Sequence, residues 1–107
     1  MESMDLLYDV VKKRQTEPQE NSYTCYLFEQ GLDKICKKIG EESAETIIAA
    51  KNGVQEETVG EVCDLIYHLM VMLVDQGIPL SAVDEVLKAR SAKIGNLKTF
   101  HQVDHES

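Results

Sequence analysis

The stretch "EESAETIIAAKNGVQEETVGEVCD", residues 41–64, decides the fold of this chain. It holds the end of one apolar-periodic run, an Asn52-Gly53 pair, and the start of a second run. Asn-Gly stops a helix because glycine takes the left-handed conformation without a Cβ clash, and so short a link forces the two helices to run antiparallel. The first helix is expected over 32–51, spanning roughly 30 Å at 1.5 Å per residue. The second is expected over 55–75, where Val59, Val62, Cys63, Ile66, Leu69, Met70 and Leu73 recur at spacings of three and four.

The same stretch carries an unusual load of like charge. Glu42 and Glu45 are three apart and Glu41 and Glu45 four apart, so all three occupy neighbouring faces of the first helix. Glu61 and Asp64 repeat the spacing of three on the second. Folding about Asn52-Gly53 and counting equal distances from the turn sets Glu45 level with Glu61, and Glu42 level with Asp64. Carboxylates gathered between helices repel one another, the more so as water is excluded, unless a cation neutralises them. A hard divalent ion suits oxygen ligands, and magnesium in particular is held by a few carboxylates together with substrate phosphates. The bland reading is a solvated face whose glutamates pair with Lys34, Lys37 and Lys38. A di-iron site is disfavoured, because it wants Glu-x-x-His pairs and His68 instead follows Asp64 by four.

Outward from the hairpin the chain continues as helix. Residues 4–14 place Leu6, Leu7, Val10 and Val11 on one side of a short helix, with Asp5 and Asp9 early and Lys12, Lys13 and Arg14 late, as the helix dipole prefers. Residues 15–31 are polar around Pro18 and end in an aromatic cluster of Tyr23, Tyr26 and Phe28; an ordered loop with one helical turn is expected there. Gly77 and Pro79 end the second long helix. Ser81 and Asp84 resemble a shortened capping box opening a fourth helix with Val83, Val86 and Leu87 inward. The fold class is therefore all-α, a helical-hairpin core in a bundle, with one domain over 1–95 and a tail over 96–107.

At 107 residues with 43% apolar and 28% charged residues, the chain has the composition of a folded domain with one small core. A net charge of −8 argues against a nonspecific grip on nucleic acid, which needs a basic surplus, but leaves polyphosphates open to a protein that holds divalent cations. Cys25, Cys36 and Cys63 match no disulfide or zinc spacing and are expected as reduced thiols in or near the core. No apolar run approaches the length of a bilayer span and no leader opens the chain, so no membrane association and a cytoplasmic location are expected. The second long helix has Leu65, Met72 and Val74 outside its main stripe, more apolar surface than the short helices cover. A homodimer that merges the hairpins is expected, with a monomeric four-helix bundle as the alternative.

Two segments, "YTCYLFEQGLDKICKKIGEESAETIIAAKNG" and "EVCDLIYHLMVMLVDQGIPLSAVDEVLKAR", closely resemble the phosphoribosyl-ATP pyrophosphatase family. More broadly, E-x-x-E followed by E-x-x-D resembles the MazG-like all-α nucleotide pyrophosphohydrolases. The resemblance runs over roughly residues 5 to 100 and implies magnesium-dependent cleavage of phosphoribosyl-ATP to phosphoribosyl-AMP and pyrophosphate, the second step of histidine biosynthesis. It implies Glu42, Glu45, Glu61 and Asp64 as metal-binding carboxylates, with Glu41 the adjacent acid. Lys38, Lys51 and His68 match patterned polar positions of the family, and Lys34 lies one turn before Lys38 on the same stripe, where both lysines would meet substrate phosphates. Glu41 or Glu45 would accept the proton of the attacking water. The tail departs from many relatives, and the chain reads as the stand-alone form, not the one fused to a cyclohydrolase. Two other readings stand beside this: a house-cleaning hydrolase of simple or damaged nucleoside triphosphates, and a non-catalytic helical interaction module.

Overall fold

The computed structural model describes residues 1–95, which form five helices: α1 (Glu2–Thr16), α2 (Tyr23–Gln30), α3 (Leu32–Asn52), α4 (Gln55–Asp75) and α5 (Leu80–Gly95). The expected tail over 96–107 lies outside the described residues. Every regular element among the described residues is α-helical, as the hydrophobic periodicity predicts.

α3 and α4 pair along their lengths as the antiparallel hairpin. The link works as expected: Gly53 sits at φ 75°, and its N–H bonds the Ala49 carbonyl at 3.2 Å, closing the last turn of α3. α1 packs on α4, and α2 fills the corner among α1, α3 and α4. The core lies where they meet: Tyr8 and Val11 of α1, Leu27 of α2, Ile35 of α3, and Met70, Val71 and Val74 of α4. Complete burial of Leu27, Ile35 and Val71 contributes about 1.5–3 kcal/mol each relative to exposure. The Tyr8 hydroxyl donates to the Ile78 carbonyl at 2.9 Å, fixing α1 to the turn after α4.

Several sequence expectations need correction. The segment 15–31 holds a true two-turn helix, α2, in place of a loop with one helical turn. Its start is fixed by Ser22, whose side chain accepts from the Cys25 N–H at 3.2 Å, and its end by Gly31 at φ 89°. α1 is also longer than 4–14, and its buried residues are Tyr8 and Val11, while Leu6 and Val10 face outward. In α4 the buried positions are His68, Met70, Val71 and Val74; Val59, Val62 and Cys63 are exposed, because α1 and α2 cover only the C-terminal half of that helix. Of the three free cysteines only Cys25 is buried. α5 buries no residue fully: Leu80 and Val83 turn partly inward, and Val86 and Leu87 stand exposed. No single helix among the described residues is long and apolar enough to cross a membrane.

Candidate metal and nucleotide site

Glu42 and Glu45 rise from one side of α3, and Glu61 meets them from α4. One carboxylate oxygen of each lies within 4.8 Å of the others. Thr46 ties the two helices together at this level: its hydroxyl lies 2.7 Å from the Glu42 carbonyl, one turn back, and 3.3 Å from the Glu61 carbonyl across the interface. That contact sets the register inferred by counting from the turn. Asp64 lies beside the trio, near enough for its charge to act on both Glu42 and Glu61.

Burial within the cluster is uneven. Glu42 is only 7% exposed, and its Oε2 is buried without a hydrogen-bond partner among the described residues. Glu61 is half-buried, while Glu45 and Asp64 are exposed. It is thus Glu42, more than Glu45, that faces inward across the hairpin. The Glu42 carboxyl is pushed up to about 7, first by a proton it can share with Glu45, then by burial, then by the charges of Glu45, Asp64 and Glu61. Desolvation followed by the charges of Glu45 and Asp64 also raises Glu61. A buried carboxylate oxygen without a donor, aimed into a group of like charges, costs free energy unless a proton or a cation satisfies it. Three oxygens at this spacing are a fitting donor set for a hard divalent cation.

The remaining expected site residues are distributed around this centre. Lys38 bridges to Glu41 at 3.4 Å, an i,i+3 pair on the open face of α3, so part of the bland lysine–glutamate pairing is present beside the cluster. Partial burial works to lower the Lys38 pKa, yet the nearby Tyr23 hydroxyl and Glu41 raise it on balance. Lys34 reaches toward an aromatic ring, its Nζ 5.9 Å from the centroid of Tyr26. Lys51 lies at the exposed hairpin end of α3, six residues and about 9 Å of helix beyond Glu45. His68 is buried, with Nδ1 2.7 Å from the Asp64 backbone carbonyl and Nε2 3.0 Å from the Tyr23 hydroxyl. Because a carbonyl only accepts, Nδ1 carries the proton when the ring is neutral, and Tyr23 donates to Nε2. Sequence reasoning missed Tyr23, Tyr67 and Thr46 as parts of this region. The spacing of Tyr23 and Tyr26 was a usable signal once α2 is recognised as a helix, whereas Thr46 had none.

A small all-α hairpin with acidic side chains converging from both long helices defines the class: a carboxylate-lined helical bundle of the MazG-like kind. The family model for phosphoribosyl-ATP pyrophosphohydrolase matches residues 4–91. Among similar proteins, the phosphoribosyl-ATP pyrophosphatase of Clostridium botulinum (strain Kyoto / Type A2) is 52% identical over 95 residues, covering 89% of this chain and 86% of that protein. Its namesake from Streptococcus sanguinis (strain SK36) is 47% identical over 102 residues, covering 95% and 98%. That from Listeria innocua serovar 6a is 52% identical over 98 residues, covering 92% and 94%. The chain belongs to the phosphoribosyl-ATP pyrophosphohydrolase family.

Proposed function

We propose that this protein hydrolyses 1-(5-phosphoribosyl)-ATP to 1-(5-phosphoribosyl)-AMP and pyrophosphate, the second step of histidine biosynthesis, with magnesium as its cofactor. The observation that carries this reading is the convergence of Glu42, Glu45 and Glu61 around the unpartnered Oε2 of Glu42, in a chain of this family. Glu42, Glu45, Glu61 and Asp64 would hold the magnesium. When bound, the ion supplies charge neutralisation for the triphosphate and polarises the phosphorus under attack.

The chain's own side chains do the rest. Lys38, paired with Glu41 beside the carboxylates, and Lys34, one turn before it at the Tyr26 ring, bind anionic oxygens of the substrate, and Lys51 provides positive charge farther along α3. His68 holds Tyr23 and the Asp64 turn in place from beneath. Glu41 lies outside the trio of clustered oxygens, so metal ligation leaves its oxygens available, and it, or Glu45, accepts the proton of the attacking water. The exposed apolar residues of the hairpin, Ile47, Ile48 and Val59 among them, are covered by a second copy of the chain.

The test is incubation of the purified protein with phosphoribosyl-ATP and magnesium, with pyrophosphate and orthophosphate measured separately. Pyrophosphate is expected as the initial product, and orthophosphate in its place would overturn the proposal. The carboxylates alone would serve other nucleoside triphosphates, so a panel including dUTP belongs in the same experiment. A higher kcat/KM on a simple nucleotide would move the assignment to a house-cleaning hydrolase.

A further inference from the structure

Three tyrosines form a ladder whose first ring, Tyr67, stands about one helical turn after Asp64 on α4. Tyr67 of α4 and Tyr23 of α2 have ring centroids 6.2 Å apart and planes 28° from parallel. Tyr26, one turn on from Tyr23, follows at 6.0 Å and 25°. The inner end is tied down. The Tyr67 hydroxyl hydrogen-bonds Thr24, and the Tyr23 hydroxyl is bound to His68, which is itself anchored on the Asp64 carbonyl. His68 adds its ring edge-on to both Tyr23 and Tyr67, at 5.8 and 4.9 Å.

The outer end is different. Tyr26 is 40% exposed, no hydrogen bond holds its hydroxyl among the described residues, and its ring meets Tyr23 by stacking and the Lys34 ammonium 5.9 Å from its centroid. The hydroxyls of Tyr67 and Tyr23 are held by hydrogen bonds, whereas Tyr26, open to solvent at 40% as Tyr23 is at 44%, lies beside the Lys34 ammonium with no such tie among the described residues. That is the construction of a preorganised stacking surface, since rigid aromatic rings bind a planar partner with little ordering cost.

We infer that Tyr26, backed by Tyr23, is the stacking surface for the purine base of the nucleotide and determines specificity for a base-bearing substrate over a bare polyphosphate. This rests on the proposal that the triphosphate is held at Glu42, Glu45 and Glu61. Stacking of the base displaces the Lys34 ammonium from the Tyr26 ring and frees it to pair with a phosphate carried on the sugar. Every purine has a π-face, so the ladder selects for the presence of a base and leaves finer discrimination to polar contacts.

The test is calorimetric binding of two magnesium complexes, α,β-methylene-ATP and inorganic tripolyphosphate, to the full chain as wild type, Tyr26→Leu and Tyr26→Phe. Tyr26→Leu is expected to weaken the nucleotide by roughly five- to hundredfold while leaving tripolyphosphate within about twofold, and Tyr26→Phe to retain both affinities. Melting temperatures of the three proteins should agree closely, since Tyr26 is 40% exposed. An unchanged nucleotide affinity in Tyr26→Leu, or an equal loss for both ligands, would overturn the inference. The readout is binding alone, so it is separate from the proposed reaction: that reading falls if phosphoribosyl-ATP is not cleaved, and this one falls if the contrast between leucine and phenylalanine is absent.

Discussion

Glu42 sets the behaviour of the site, because it is the carboxylate that the fold removes from water. Its proton is held more tightly in the folded than in the unfolded chain, so protonation stabilises the metal-free protein. That stabilisation is complete below the unfolded value of 4.5 and is lost as pH rises through about 7. The metal-free melting temperature should therefore fall, by about 5 °C or more, between acid and mildly alkaline buffer. Magnesium should raise it most at the alkaline end, where Glu42 is ionised and needs a counter-charge. A melting temperature that climbs over this window would contradict the account. Glu45→Gln and Asp64→Asn each delete one charge with little change of shape. The metal-free variants should melt at the wild-type temperature or slightly above, and turnover should drop by at least roughly a hundredfold, the scale of losing one electrostatic contact to a transition state. Near-normal turnover of both variants at limiting magnesium would remove these residues from the site.

α2 is the element through which the core and the site communicate. Its two turns bury Cys25 and Leu27 and also carry the more exposed Tyr23 and Tyr26, with Leu27 one turn on from Tyr23 on the same face. Leu27 is fully buried, so its docking holds the tyrosine ladder at the height of Lys38 and His68. Leu27→Ala should destabilise the protein by about 2–5 kcal/mol, measured by denaturant unfolding, through lost burial and the cavity left behind. At temperatures where the variant remains folded, KM should rise more than kcat falls, because the ladder loosens while the α3–α4 carboxylates stay in register through Thr46. An equal loss of kcat and kcat/KM would place the damage at the carboxylates instead.

The molecule as a whole leaves one side of its hairpin in water. Ile47 and Ile48 are 64% and 58% exposed, Val59 is 53% exposed, and Leu6 and Val10 of α1 are open as well. An apolar surface of this kind on a small acidic protein calls for a partner, and the expected partner is a second copy. Sedimentation should give twice the 12.0 kDa chain mass. Ile48→Glu should shift the protein toward monomer, with a lower melting temperature that depends on protein concentration in the wild type and not in the variant. A wild-type protein that sediments at the chain mass at micromolar concentration would return the fold to a monomeric bundle.

The all-α class, the two long helices, the turn at Asn52-Gly53 and the acidic spacing on either side of it were all legible in the residues. Each depends on local periodicity and on the freedom of one glycine, both properties of the chain itself. Counting from the turn also set Glu45 level with Glu61, because two straight helices joined by a short link have little choice of register. What the residues did not disclose was which member of each apolar or acidic stripe faces inward. The stripe of α4 reads as uniformly apolar, yet α1 and α2 cover only its C-terminal half, so Val59 and Val62 are exposed while His68 is buried. α2 itself was hidden in a polar segment, since eight residues carry too few periods to signal a helix and its stability comes from docking Leu27. Glu42, not Glu45, became the buried carboxylate for the same reason: burial depends on which helix arrives from elsewhere in the chain, and only the tertiary packing decides that.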